Sequence, residues 1–386
     1  MDDIFVSIIL TAQCNLQCKY CINNSGKDLI PPDSQISEWS SSEDIIDCLI
    51  NLSKIKNIHY IKFFGGEPML KFTLLKEVVE QKEKFSEDSS VKFAFTTNAY
   101  DKFDQSMLDF FVYNRIILNI SLDGPEEINN ASRLAKDRGN CFKNVIKNLE
   151  LLRKRGFPFA LIAVVDDRLT DSKFTINDIS DFLYTYSPIY KIEPSYILDR
   201  GINNYTGNRM LRFDKLLNQQ AVFIDDIFIK IASLDEGNYT YENNVLLTMK
   251  NIIYNEHHDF ICSAAKSITI FPNKRAYSCY NLISDRFLVS KDISNEDTEI
   301  LEETLSQKQE ILKFSYYPNE YKLIENFGGD YCPLENNFDS FAYLYRKNMI
   351  ENVKRNLRDI RSGSAEHLSL LNYIDKGFTN RYFYNL

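Results

Sequence analysis

The stretch Phe5-Val6-Ser7-Ile8-Ile9-Leu10-Thr11-Ala12-Gln13-Cys14-Asn15-Leu16-Gln17-Cys18-Lys19-Tyr20-Cys21 runs from an apolar segment into three closely spaced cysteines. Three thiolates within eight residues can fold around one cubane iron–sulfur cluster. Clusters held by protein alone generally use four cysteines, and no fourth lies nearby. The spacing therefore predicts an iron with an open coordination position, which means chemistry rather than structure, as with catalytic and structural zinc. A zinc knob would draw a fourth Cys or His from close by. Neither that nor three unrelated core thiols accounts for the strand-like run before the cysteines or the aromatic Tyr20 before the last one.

At 386 residues and 44% hydrophobic content, the chain can bury one large core and a smaller one. Its 45 basic and 54 acidic residues give a net charge of −9, which argues against a nucleic-acid groove. The N-terminus Met1-Asp2-Asp3 has no basic n-region and no signal-peptide h-region, and no apolar run approaches the length of a membrane span. Eight cysteines in such a chain read as metal ligands and free thiols, so a reducing cytoplasm is expected.

Strand-like runs and amphipathic helices alternate through the first half. Strands are expected at Phe5–Leu10, Tyr60–Phe64, Lys92–Phe95, Ile116–Ile120, Ala160–Val165 and Ile192–Ile197. A capping box at Ser40-x-x-Glu43 opens a helix carrying Ile45, Ile46, Cys48, Leu49 and Leu52. Further helices are expected at Leu74–Phe85, Gln105–Tyr113 and Phe142–Arg155. Six strand–helix repeats imply an α/β fold with a parallel sheet, either open or closed toward a barrel. Polar clusters follow the strands: the cysteine loop, Gly65-Gly66-Glu67-Pro68, Thr96-Thr97-Asn98 and Ser121-Leu122-Asp123-Gly124-Pro125. Sites in parallel α/β folds lie at the C-terminal ends of strands, so the clusters point to one site. Residues 201–260 read as a helical connector. Beyond them, Ser267–Phe271 and Arg275–Ser278 flank Pro272-Asn273-Lys274, a hairpin signal, and helices are expected near 296–314, 337–357 and 364–375.

With its aromatic, the Cys-x3-Cys-x2-Cys pattern resembles the signature of the radical S-adenosylmethionine (radical SAM) superfamily. The order of motifs across residues 1–200 resembles that superfamily's partial (β/α)6, TIM-like barrel. The resemblance implies that Cys14, Cys18 and Cys21 ligate a [4Fe–4S] cluster whose fourth iron binds S-adenosylmethionine, with Tyr20 beside the adenine. It implies that the Gly65-Gly66-Glu67 loop lies at the methionine ammonium, the glycines for close backbone approach and the carboxylate for pairing. Thr97, Asn98 and Ser121 fall where the family binds ribose and carboxylate. Asp123 opens a family stretch that ends in an arginine, here Arg133, whose guanidinium suits a carboxylate. The usual His-Asp pair of that stretch is replaced by Asn129-Asn130. Leu198 is expected to pack on the adenine.

A second set, Cys262, Cys279 and Cys332, resembles the opening of the SPASM and twitch auxiliary-cluster domains, with Asn273-Lys274 in place of a glycine-containing turn. It implies one auxiliary [4Fe–4S] cluster in a C-terminal α+β domain, residues 261–386, its fourth ligand open or drawn from groups such as His257, His258 or Asp330. Cys48 and Cys141 read as core. Barrels followed by such domains commonly act on peptides. The resemblance thus implies an oxidoreductase-type enzyme that abstracts hydrogen from a ribosomally made precursor peptide, giving a crosslink or an epimer. It would be served by an external flavodoxin- or ferredoxin-like electron donor. Leader recognition would fall to the cap or to a separate protein. The alternatives are a twitch-type small-molecule dehydrogenase, sulfatase maturation, which the shortage of cysteines for two auxiliary clusters disfavours, and, from another class, a non-catalytic iron–sulfur sensor or electron carrier.

Overall fold

The computed structural model describes residues 2–21, 23–25, 38–86, 91–195, 208–233, 242–254, 266–279, 285–314, 341–358, 360 and 362–382. These fall into two compact units. One comprises Met1–Ile120, Arg133–Phe157 and Phe260–Tyr316; the other comprises Ser121–Ser132, Pro158–Asp259 and Tyr317–Leu386.

In the first unit the strands β1 (Asp3–Thr11), β2 (Asn57–Gly65), β3 (Lys92–Thr97) and β4 (Ile117–Ser121) are parallel neighbours. Apolar side chains on one face of β2 and β3 meet the helices α2 (Phe72–Glu80) and α3 (Gln105–Tyr113). Phe63 stacks on Phe93, with centroids 6.2 Å apart. Phe111 of α3 touches Phe72, Phe95, Phe103 and Phe157. Each large side chain fully buried here contributes about 1.5–3 kcal/mol, so this cluster fixes which face of the sheet the helices cover. Helix α1 (Ser42–Ser53) buries the expected Ile45, Ile46, Cys48, Leu49 and Leu52. Its cap is Ser41 rather than Ser40: the Ser41 side chain accepts from the Asp44 N–H, one residue later than the sequence pattern suggests. The helix expected at Leu74–Phe85 starts at Phe72 and stops at Glu80, and Lys82–Lys84 forms a separate 3-10 turn.

On the other side of β1 lies β7 (Ser267–Ile270), parallel to it, followed by antiparallel β8 (Ala276–Tyr277) and β9 (Leu288–Ser290). The expected hairpin is therefore present, and its first strand extends the parallel sheet. Lys274 takes the left-handed conformation, φ +61°, that a glycine would supply, and its ammonium pairs with Asp44 at 2.7 Å. Helices α5 (Cys141–Lys154) and α9 (Thr298–Phe314) also belong to this unit, whereas α4 (Glu126–Ser132) belongs to the second. Cys48 and Cys141 are buried, as a core reading requires.

In the second unit β5 (Ala160–Val165) pairs in parallel with β6 (Tyr190–Pro194), and Ser180 of α6 (Ile176–Tyr186) hydrogen-bonds Tyr190 at 2.6 Å. The long α7 (Asn208–Ala232) and α8 (Asn243–Ile253) each pack against α10 (Phe341–Arg358) and α11 (Ala365–Tyr382). Part of the segment expected to be a connector is tied to the sheet. Glu242 caps α8 through the Val245 N–H and also accepts from the Ile192 N–H of β6. No described helix is long and apolar enough to cross a membrane.

Candidate functional site

The cysteine loop leaves β1 at Thr11 and is held from two sides. Gly66 and Glu67 donate their N–H groups to the Thr11 and Gln13 carbonyls at 2.9 and 2.8 Å. On the other flank, Gln17 N–H donates to the Leu134 carbonyl at 2.7 Å and Lys136 N–H to the Asn15 carbonyl at 3.0 Å. Two backbone seams thus pin the residues that carry Cys14, Cys18 and Cys21. Turn N–H groups face the sulfurs, from Leu16 to Cys14 at 3.4 Å and from Ser25 to Cys21 at 3.1 Å. Burial pushes the Cys14 thiol up from its ordinary range.

The second seam explains the place of Arg133. It directly precedes the strip that pairs with the cysteine loop, so its guanidinium falls beside Tyr20, donating to the Tyr20 hydroxyl at 2.5 Å with its charge 6.0 Å from the ring centroid. Arg133 is only 6% exposed, which sets aside a surface role for it. The expected adenine-side aromatic and the expected carboxylate-binding arginine therefore share one wall.

From the sequence, the glycines and Glu67 are expected to face a methionine ammonium. In the structure the glycines answer a nearer demand. A Cβ on Gly65 would lie 2.3 Å from the Thr11 carbonyl oxygen, and one on Gly66 would lie 2.1 Å from that of Gln13. Glu67 is 2% exposed and its carboxylate accepts from the Met69 N–H, the Thr97 hydroxyl and the Asn98 N–H at 3.0, 2.7 and 2.7 Å. Burial raises its pKa to about 7 against the opposing pull of those donors. Glu67 thereby ties the loop after β2 to the turn after β3. Asn98 in turn reaches Asn15 and Cys14.

Ser121 ends β4. Within the second unit, the Asp123 carboxylate accepts from the Val164 N–H at 3.2 Å, and the Asp123 N–H donates to Asn129 Oδ1 at 3.2 Å. Asn129, standing where the family has its His-Asp pair, holds this loop. Cys279 follows β8 and is partly exposed. Leu198, Cys262, Cys332, His257, His258 and Asp330 lie outside the described residues.

Sequence reading missed Asn119 and gave Thr96 only as a member of the cluster after the third strand. They are register partners on the face of β3 and β4 opposite Phe95, and Thr96 Oγ1 and Asn119 Oδ1 are buried without a hydrogen-bond partner among the described residues. The signal was available. An asparagine inside Leu118-Asn119-Ile120 contradicts strand propensity, and a buried polar atom left unpaired costs about 1–3 kcal/mol.

The donor set suits an iron–sulfur cluster: three free, partly exposed cysteines within eight residues, with the Leu16 and Ser25 N–H groups directed at the Cys14 and Cys21 sulfurs.

Residues 8–176 match the family described as the Radical SAM superfamily. That stretch is similar to a radical SAM domain. Radical SAM domains use a [4Fe–4S] cluster and S-adenosylmethionine. The chain is 24% identical over 298 residues to the radical SAM cyclopropyl synthase TigE of Paramaledivibacter caminithermalis, a match covering 71% of this chain and 57% of that protein. It is 27% identical over 158 residues to the serine-type anaerobic sulfatase-maturating enzyme of Bacteroides thetaiotaomicron, covering 40% of this chain and 38% of that one. The chain thus spans about half the length, or less, of these two curated relatives. Among solved structures, native anSMEcpe with bound AdoMet superposes with a TM-score of 0.72 at 18% identity, over 96% of this chain and 99% of that one. Streptococcus suis SuiB bound to precursor peptide SuiA gives 0.55 at 14% identity, over 87% and 70%. These likenesses show the fold: mixed α/β with a parallel sheet, of the radical SAM partial-barrel kind.

Proposed function

We propose that this chain generates a 5′-deoxyadenosyl radical and uses it to abstract hydrogen from a peptide, maturing a ribosomally made precursor by crosslinking or epimerisation. The observation that carries the reading is the double pinning of the Cys14–Cys21 loop by the Gly66–Glu67 backbone and the Leu134–Lys136 strip. A carrier or sensor has no need of the glycine approach or of a buried arginine set against Tyr20. When bound, the cluster and S-adenosylmethionine supply the reductive cleavage of a sulfonium bond and the carbon radical. Cys14, Cys18 and Cys21 would each hold one iron. Tyr20 would lie along the adenine, Arg133 would bind the methionine carboxylate, and Thr97, Asn98, Ser121, Asp123 and Leu198 would complete the cosubstrate pocket. Thr96 and Asn119 offer buried oxygens to which the polar backbone of a peptide could bond. The names of TigE, the sulfatase-maturating enzyme and SuiB with SuiA support a peptide or protein substrate.

The same reading takes residues 1–200 as the barrel, 201–260 as the connector and 261–386 as an auxiliary domain, with Cys262, Cys279 and Cys332 on one further [4Fe–4S] cluster. A flavodoxin- or ferredoxin-like protein would deliver electrons, and a separate protein could present the leader. The test is anaerobic incubation of reduced enzyme and S-adenosylmethionine with the peptide encoded beside its gene, deuterated at the Cα and side-chain positions. Deuterium appearing in 5′-deoxyadenosine, with a mass change in the peptide, is expected. Turnover of cosubstrate with no deuterium transfer from any such peptide would point to a small-molecule substrate.

A further inference from the structure

Asn98 has both ends of its carboxamide assigned. Its Oδ1 accepts from the Tyr100 N–H at 2.9 Å, and its Nδ2 donates to Asn15 Oδ1 at 2.7 Å. Asn15 gives its own Nδ2 to Asp101 Oδ2 at 2.8 Å, which settles its oxygen as the acceptor toward Asn98. An amide nitrogen carries two N–H bonds. The second one of Asn98 serves Cys14 Sγ, 3.8 Å from the nitrogen. The backbone beneath is equally constrained. Glu67 accepts the Asn98 N–H, Thr97 Oγ1 accepts the Ala99 N–H at 2.9 Å, and Ala99 is held at φ +47°. An alanine keeps that conformation only where its surroundings impose it. Asn98 is 6% exposed, so water does not compete freely for its amide.

We infer that Asn98 is a positioning residue whose carboxamide N–H donates to the Cys14 sulfur and raises the reduction potential of the cluster that Cys14 helps to hold, with Asn15 and Glu67 fixing the direction of that N–H. The inference rests on the reading of Cys14, Cys18 and Cys21 as cluster ligands. Reduction adds one electron, supplied by a one-electron donor, and part of the added charge falls on the ligand sulfurs. An N–H dipole aimed at a sulfur stabilises the reduced form more than the oxidised one.

The test compares wild type, Asn98→Ala, Asn98→Asp and Asn15→Ala, each reconstituted anaerobically and assayed for iron and sulfide. All are then titrated with dithionite under EPR, without S-adenosylmethionine. At the wild-type midpoint, Asn98→Ala should show a reduced-to-oxidised ratio lower by up to about tenfold, a 59 mV shift for one electron. Asn98→Asp, which exchanges the donor for a negative charge, should fall further, and Asn15→Ala, which frees the amide to rotate, should fall less. An unchanged midpoint in iron-replete Asn98 variants overturns the inference. If those variants fail to load iron, Asn15→Ala decides, and a midpoint equal to wild type overturns it. A wild type that binds no cluster removes the ligand reading itself, and the inference with it.

Discussion

A Cβ built on Gly66 would sit 2.1 Å from the Gln13 carbonyl oxygen, a clash no side-chain rotation can relieve, because the backbone fixes both the Cβ position and the oxygen. Gly66→Ala must therefore push the loop after β2 away from the cysteine loop. Overpacking of this kind costs about 1–3 kcal/mol. A lower melting temperature and a poorer iron yield are expected, and a variant matching wild type in both would show that the two loops are not locked together. Arg133 tests a different contact. A hydrogen bond to a charged group is worth about 1.5–3 kcal/mol, or one to two decades in affinity. Anaerobic calorimetry on Arg133→Ala should show S-adenosylmethionine binding weakened by that factor with iron content unchanged; equal affinity would remove Arg133 from the cosubstrate pocket. That the cysteine loop, Gly66 and Glu67 come together was legible, because polar clusters at the strand ends of a parallel α/β sheet converge. What Glu67 does was not legible. Its partners Thr97 and Asn98 are 30 and 31 positions away, and only the fold brings them within 2.7 Å.

At the scale of elements, Glu242 joins the start of α8 to β6, and its burial raises its pKa to about 7 from the ordinary 4.5. Between those two values the folded chain keeps a proton that the unfolded chain has released. Its contribution to stability is therefore complete below about pH 4.5 and is lost as the pH rises through 7. Glu242→Gln keeps an acceptor oxygen and cannot titrate. Urea unfolding from pH 5 to pH 8 should show the variant gaining on wild type as the pH rises; parallel profiles would mean that Glu242 stays ionised in the fold. The helices and strands of the first half were readable because burial on one face leaves a period in the sequence. Ile45, Ile46, Cys48, Leu49 and Leu52 all proved buried along α1. The parallel insertion of β7 beside β1 left no such trace, since the Phe5↔Ser267 pairing joins residues 262 positions apart.

Over the whole chain, the separation of the two cysteine sets makes iron content informative. If Cys262, Cys279 and Cys332 hold an auxiliary cluster, wild type should bind about eight irons and a Cys14→Ala, Cys18→Ala, Cys21→Ala variant about four. No iron in the variant would make the C-terminal thiols bystanders. The central claim is narrower and can be met by a single assay: 5′-deoxyadenosine released by the anaerobically reconstituted, reduced protein given S-adenosylmethionine, measured beside the same triple variant. The account predicts steady release from wild type and none from the variant, with the variant still folded by circular dichroism. Release from the variant equal to that of wild type, or none from an iron-replete wild type, would contradict it.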